Sequence, residues 1–225
     1  MRLRNKITGL SLLILLIGLF ALGWSRAQAA RPGNSITAPA GASLYYLPTI
    51  ARQGVPLNCL FVEQNGIVVM EVEANPPLEA WMVERAVPGY TGNSYYTWRG
   101  PNLFGIPGVA ILRYPVRLTQ AGSYLLRLHN YHDFPNPSEE NDVWARMDGG
   151  PWIKVFSSLR GEWTWRTAFD INGGADAIYE YLGTGDHVLE LSARSYGFSI
   201  DRIALFRPGT DGENLGLPQS ACVLP

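Results

Sequence analysis

Two carboxylates stand two residues apart in Val69-Met70-Glu71-Val72-Glu73, within a run rich in strand-forming residues. On a strand, positions i and i+2 share a face, so Glu71 and Glu73 project side by side. Such a pair suits joint ligation of a hard cation, which takes oxygen ligands. Two solvated edge carboxylates, or a salt bridge to Arg202, are the alternatives. Glycoside hydrolysis needs carboxyl groups opposed across a cleft, which a shared face does not supply. A second polar concentration is His129-Asn130-Tyr131-His132-Asp133, followed by Glu139, Glu140 and Asp142. It reads as a solvated loop, with a polar or metal-binding loop as the alternative. His129, His132 and His187 do not have the spacing of a helical metal motif. No G-x-S-x-G elbow occurs. Gly183-Thr184-Gly185 leads into a strand and not a helix, so it reads as a hairpin turn rather than a phosphate cradle. No catalytic residues are expected, and the chain is read as a non-enzyme.

Aromatic residues are the other candidates. The chain has 7 Trp and 11 Tyr. A flat ring beside hydroxyl, amide or charged groups is what binding of a pyranose requires. Tyr95, Tyr96 and Trp98 follow a Gly/Asn turn containing Asn93. Trp163 and Trp165 flank Thr164 after Gly161-Glu162. If that segment is a strand, both tryptophans lie on one face, toward the core or away from it. Core packing competes with ligand stacking for each of these rings.

The elements that must position these residues are short. Strand-like runs at 67–73, 95–98, 109–118, 123–130, 142–148, 152–156, 163–169, 187–193 and 199–206 are separated by Gly, Pro, Asn and Asp. Runs of this length and spacing, without helical periods between them, indicate an all-β sandwich or barrel. Alternation puts Tyr124, Leu126 and Leu128 on one face and Leu125, Arg127 and His129 on the other. His187 falls on the inward phase of its run. A short helix or turn is expected at 175–181, and no internal repeat is present.

The N-terminus has a different character. Arg2, Arg4 and Lys6 precede an apolar stretch from Ile7 to Trp24, and Ala27-Gln28-Ala29 is a small-x-small cleavage pattern. Residues 1–30 therefore read as a signal peptide or a membrane anchor, and either one places the remainder outside the cytoplasm. Residues 31–58 are rich in Ala, Pro, Gly and Ser and read as a linker. The sandwich is expected at 59–225, with a Gly/Pro-rich tail from 208. Cys59 and Cys222 are the two cysteines. In an oxidising compartment their flanking positions suit a disulfide, against two unpaired thiols. With 47% hydrophobic residues, 16% charged residues and a net charge of −1, the chain is neither disordered nor a nucleic-acid binder.

Several stretches in order resemble a known family. They are Val69-Met70-Glu71-Val72-Glu73, Gly89-Tyr90-Thr91-Gly92-Asn93-Ser94-Tyr95-Tyr96-Thr97-Trp98, Ala121-Gly122-Ser123-Tyr124-Leu125-Leu126-Arg127, Gly185-Asp186-His187-Val188-Leu189-Glu190-Leu191 and Gly197-Phe198-Ser199-Ile200-Asp201-Arg202-Ile203-Ala204-Leu205. Together, over about 63–207, they resemble carbohydrate-binding modules of the family 6 and family 35 type, which are galactose-binding-domain-like. The segment Glu140-Asn141-Asp142-Val143-Trp144-Ala145-Arg146-Met147-Asp148-Gly149-Gly150 departs from the best-known members. The resemblance implies a jelly-roll-like β-sandwich and a structural calcium ion near the first and last strands, held by Glu71, Glu73 and Asp201. It also implies a sugar site on loops at one end, combining a mid-chain aromatic with polar residues of the last loops. Asn93, Tyr95, Trp98, Trp163, Trp165, Arg194 and Tyr196 are the candidates here. The expected partner is a polysaccharide or glycan. The alternative is an extracellular structural or protein-interaction domain on the same fold.

Overall fold

The computed structural model describes residues 59–136, 139–171 and 174–224. The expected export segment and linker lie outside the described residues. Two sheets face each other. One has eight strands, in the order β10 (Ala175–Asp176), β9 (Thr167–Phe169), β8 (Ile153–Ser157), β7 (Asp142–Met147), β12 (Gly185–Ser192), β5 (Leu112–Leu118), β1 (Leu60–Val62) and β14 (Cys222–Val223). The other runs β11 (Ile178–Leu182), β6 (Gly122–Tyr131), β13 (Ser199–Phe206), β4 (Tyr95–Trp98) and β3 (Trp81–Glu84), with β2 (Ile67–Glu71) also on β13. Pairing is antiparallel except between β1 and β5. The expected β-sandwich is therefore present. No helix among the described residues is long and apolar enough to cross a membrane.

Alternation along the strands builds the core. Tyr124, Leu126 and Leu128 from β6 meet Leu112, Tyr114 and Val116 from β5 and Leu189 and Leu191 from β12, all buried. Each fully buried aliphatic side chain contributes about 1.5–3 kcal/mol relative to exposure. β13 is buried along its whole length. Its Ile200, Ile203 and Leu205 point into the core, and its other face is covered too. One side of β13 pairs with β6. The other pairs first with β4, at Ser199 and Ile200, and then with β2, from Arg202 onward.

Several expected boundaries move. The first run ends as a strand at Glu71, and Val72–Ala74 forms a 3-10 turn, so Glu73 does not continue the strand face of Glu71. Trp163 and Trp165 precede β9, which begins at Thr167; only Thr164 makes an isolated bridge, to Asn130. The segment expected as a helix or turn at 175–181 is β10 and part of β11, because its outer edge pairs with Phe169 and Ala168 and its inner part with β6. The tail returns as β14 on β1, joined by the Cys59–Cys222 disulfide with Cα atoms 5.3 Å apart. His187 is half-buried on β12, with Nδ1 2.7 Å from Asp148 Oδ2 and Nε2 3.0 Å from the Gly183 carbonyl.

Candidate functional site

A β-bulge builds the polar centre of the molecule. Between Ile200 and Arg202 the register of β13 on β6 shifts, so Asp201 is an extra residue. A bulge re-aims side chains. Here it lets both Asp201 and Arg202 face away from the core, where strict alternation would have sent one of them inward. Arg202 donates from Nε to Glu71 Oε1 at 2.8 Å and from Nη2 to the same oxygen. Asp201 Oδ2 lies 2.6 Å from His129 Nδ1, and both its oxygens accept the Thr91 N–H at 3.0 Å. The Thr91 hydroxyl is 2.9 Å from Glu71 Oε2 and 3.2 Å from Asp201 Oδ2, so one proton is offered to two carboxylates.

Glu73 joins this group from the 3-10 turn. Its Oε1 accepts the Asn93 N–H at 2.7 Å, while its Oε2 is buried without a hydrogen-bond partner among the described residues. Gly92 has φ +60°, and a Cβ there would collide with Glu73 Oε1. Glycine therefore allows the 89–93 loop to close over the carboxylates. Burial raises the Glu73 carboxyl above its ordinary value, and the charges of Glu71 and Asp201 push the same way against the Asn93 N–H. Three carboxylates converge here, and one of their oxygens has no hydrogen-bond partner among the described residues. Even so, no group of three or more His, Cys, Asp or Glu side chains among the described residues has the mutual placement of a metal site.

Trp163 and Trp165 lie together on the outer face over this centre. Trp163 stacks on His129 at 5.2 Å and meets Tyr95 edge-on at 5.0 Å, and Trp165 packs 5.0 Å from His129. Both are half-buried, and the indole N–H of each is buried without an acceptor among the described residues. Tyr95 and Trp98 are 1% and 2% exposed. That burial removes them as stacking platforms. Tyr95 lies beneath Trp163, and Trp98 is a core residue packed against Trp81, its N–H held by the Pro101 carbonyl. Gly100 is required by this packing, because a Cβ there would meet the Trp98 ring. Asn93 is exposed but is tied through its backbone to Glu73 and Arg85.

At one end of the sandwich the loops before β5 and before β13 interlock. Asp142 accepts from Arg194 Nη1 and from the Ser195 hydroxyl. Thus oriented, the Arg194 guanidinium sits 4.9 Å from the ring centres of both Phe104 and Trp144. The Tyr196 N–H donates to Asn102 Oδ1 at 2.8 Å, and Arg99 lies 5.5 Å over the Tyr196 ring. Phe104 and Tyr196 remain 50% and 41% exposed. The sequence named Arg194 and Tyr196, and Asp142 only within a different polar group, but not Phe104 or Asn102. The available signal was an apolar run, Leu103-Phe104-Gly105-Ile106, in a Gly/Pro-rich loop. His132, Glu139 and Asp142, expected in one polar loop with His129, are dispersed: His129 joins Asp201, Glu139 bonds Asn136, and Asp142 holds Arg194.

No protein-family model matches the chain, and no curated protein does. Among solved structures the chain is similar to a Podospora anserina GH26-CBM35 β-(1,4)-mannanase, with 18% identity over 66% of this chain and 30% of that chain and a TM-score of 0.46. It spans less than a third of that enzyme. It is also similar to a family 35 carbohydrate binding module from Clostridium thermocellum, with 19% identity, 62% and 97% coverage and a TM-score of 0.41. A third is Xyl-CBM35 in complex with a glucuronic acid containing disaccharide, with 19% identity, 62% and 93% coverage and a TM-score of 0.42.

Proposed function

We propose that the chain is an exported, non-catalytic carbohydrate-binding module whose sugar site is the interlocked loop end. The observation that carries this reading is two exposed rings on the interlocked loops, Phe104 against the Arg194 guanidinium that Asp142 holds in place, and Tyr196 under the Arg99 guanidinium. An apolar ring face and fixed donors together meet the needs of a pyranose, whose CH face stacks while its hydroxyls bond. The sequence resemblance to family 6 and family 35 modules supports the same end of the fold. The test is a glycan array followed by calorimetry on the full chain, with a glucuronic-acid-containing disaccharide among the ligands. Tyr196→Ala and Phe104→Ala should lose most of the binding at unchanged melting temperature. Undiminished binding by both variants rejects this site.

Calcium belongs to the same proposal. Glu71, Glu73 and Asp201 would hold the ion, which would relieve the charge crowding around Glu73 Oε2 and pin the 89–93 loop to β2 and β13. An ion that binds only the folded state stabilises it by about 2.7 kcal/mol at a hundredfold excess over its dissociation constant. Melting should therefore rise in millimolar calcium relative to chelator, and Asp201→Ala should abolish the rise.

A protein-contact domain is the second reading, favoured by the edge strand β3. Its Met82 and Val83 are 50% and 41% exposed beside a strand edge that is unpaired among the described residues. An array without signal, together with a Met82→Lys variant that loses a captured partner, would favour it.

A further inference from the structure

Away from the loop end, a cleft of 250 Å³ opens between the 165–168 segment, β10 and the C-terminal tail. We propose that it is a second pyranose site, taking one neutral sugar ring; this rests on the reading of the chain as sugar-binding. Its floor is Arg127, whose side chain is only 12% exposed. That guanidinium is locked in place: Nε bonds Glu213 Oε1 at 3.0 Å, Nη2 bonds Asp176 Oδ1 at 2.8 Å, and Nη1 donates to the Thr167 carbonyl at 3.2 Å. Trp165 and Phe156 line the cleft, and the Ser158 and Arg166 side chains border it. Arg166 is exposed and forms no ion pair with any described residue.

The chemistry selects a neutral ring. Two guanidinium groups face two carboxylates, so the lining carries no net charge. Asp176 and Glu213 each spend one oxygen on Arg127 and keep the other as an acceptor for a hydroxyl. Arg166 and Ser158 supply donors. A polyhydroxylated ring needs donors and acceptors in alternation plus one apolar wall, and Trp165 provides that wall. A carboxylated sugar would gain Arg166 but would face Asp176 and Glu213 across the cleft, and like charges brought together in this way are unfavourable. The cleft and the loop end use no residue in common, so the molecule would hold two separate stretches of glycan. Linking two weak sites raises avidity without any new contact.

The experiment titrates the full chain, labelled at its 7 Trp indole nitrogens, with methyl glycosides of glucose, galactose, mannose and xylose. The Trp165 N–H has no acceptor among the described residues, so its signal reports on its surroundings. The expected result is a saturable shift of the Trp165 signal with at least one neutral glycoside. Arg166→Ala and Asp176→Asn should each weaken it about tenfold or more at unchanged melting temperature, as expected for a lost charge-assisted bond. Tyr196→Ala should leave it intact. An unmoved Trp165 signal, a shift equally strong in both variants, or a shift only with methyl glucuronide overturns the proposal. Should the Trp165 signal move while Tyr196→Ala and Phe104→Ala bind glycan as well as the parent, the loop-end reading falls and the cleft stands. Should binding be lost in those two variants with no Trp165 shift in the parent, the cleft falls and the loop end stands.

Discussion

Glu73 is the residue on which the calcium reading is most open to experiment. Its carboxyl is raised above the ordinary 4.5 by burial first, then by Glu71 and Asp201. A raised acid binds its proton more tightly in the folded state. Its contribution is therefore full below pH 4.5 and is lost as pH rises through the folded value. In chelator at neutral pH, Glu73→Gln should melt above the parent, with the gap closing toward pH 4.5. In millimolar calcium the parent should gain and the variant should not. Identical melting of the two proteins at every pH and in both buffers would show that Glu73 carries no such strain. Glu63 is the opposite case. Burial alone would raise its carboxyl, but N–H groups of Thr119, Gln120 and Gly66 and the Tyr124 hydroxyl outweigh that and hold it low. Its contribution is present above pH 4.5 and is lost as pH falls through the lowered value. Glu63→Gln should cost about 1.5–3 kcal/mol in urea unfolding at neutral pH, and less in acid.

Strands and loops divide the aromatic residues between packing and binding. Tyr95 and Trp98 belong to β4, a strand flanked by β3 and β13, and all four of its residues are buried. Tyr95→Ala and Trp98→Ala should each cost about 3–5 kcal/mol of stability, measured by chemical unfolding. Tyr196 and Phe104 stand on loops, and their removal should cost little. The tail is a further element held at a distance. Gln219 accepts the Glu71 N–H at 3.2 Å, Ser220 accepts the Val69 N–H at 2.9 Å, and β14 adds a strand to β1. The disulfide ties this tail across a separation of 163 residues. Chain-entropy reasoning assigns a loop of that length about 4–5 kcal/mol. A Cys59→Ser/Cys222→Ser variant should unfold at correspondingly lower urea, and hydrogen exchange should quicken first at Glu71 and Val69. Parental unfolding and exchange in that variant would show that the tail is held without the bond.

For the molecule as a whole, the two sheets enclose one core and three features face outward: the carboxylate centre, the cleft at the tail, which shares Trp165 with it, and the interlocked loop end. The first faces outward yet is covered by the 89–93 loop and the tryptophans, so the ion proposed for it would be structural and not an exchanging ligand. The other two open to solvent. Chelation should therefore lower the melting temperature more than it lowers sugar affinity measured below melting. Equal loss of both would mean that the ion takes part in ligand contact.

Alternation and punctuation in the sequence determined the two-sheet class, the strands at 95–98 and 199–206, and the facing of β6, because a period of two leaves a direct trace in residue order. Flanking position together with the export-like N-terminus favoured a Cys59–Cys222 bond over two free thiols, and the structure joins them. The acidic residues near the first and last strands were legible as a group, although Glu73 reaches it from a 3-10 turn and not from the strand. Tertiary structure decided the rest. A bulge is invisible to alternation, so the joint outward facing of Asp201 and Arg202 could not be read, nor could the roles of Thr91 and His129. Whether an aromatic packs or binds depends on which strand covers it. Trp98 and Tyr95 follow a polar turn and yet are buried, Trp98 in the core and Tyr95 under Trp163 on the outer face, whereas Phe104, in a short apolar run within a loop, is exposed. β3 shows no alternation to detect, because Met82 and Val83 are consecutive apolar residues and both are exposed.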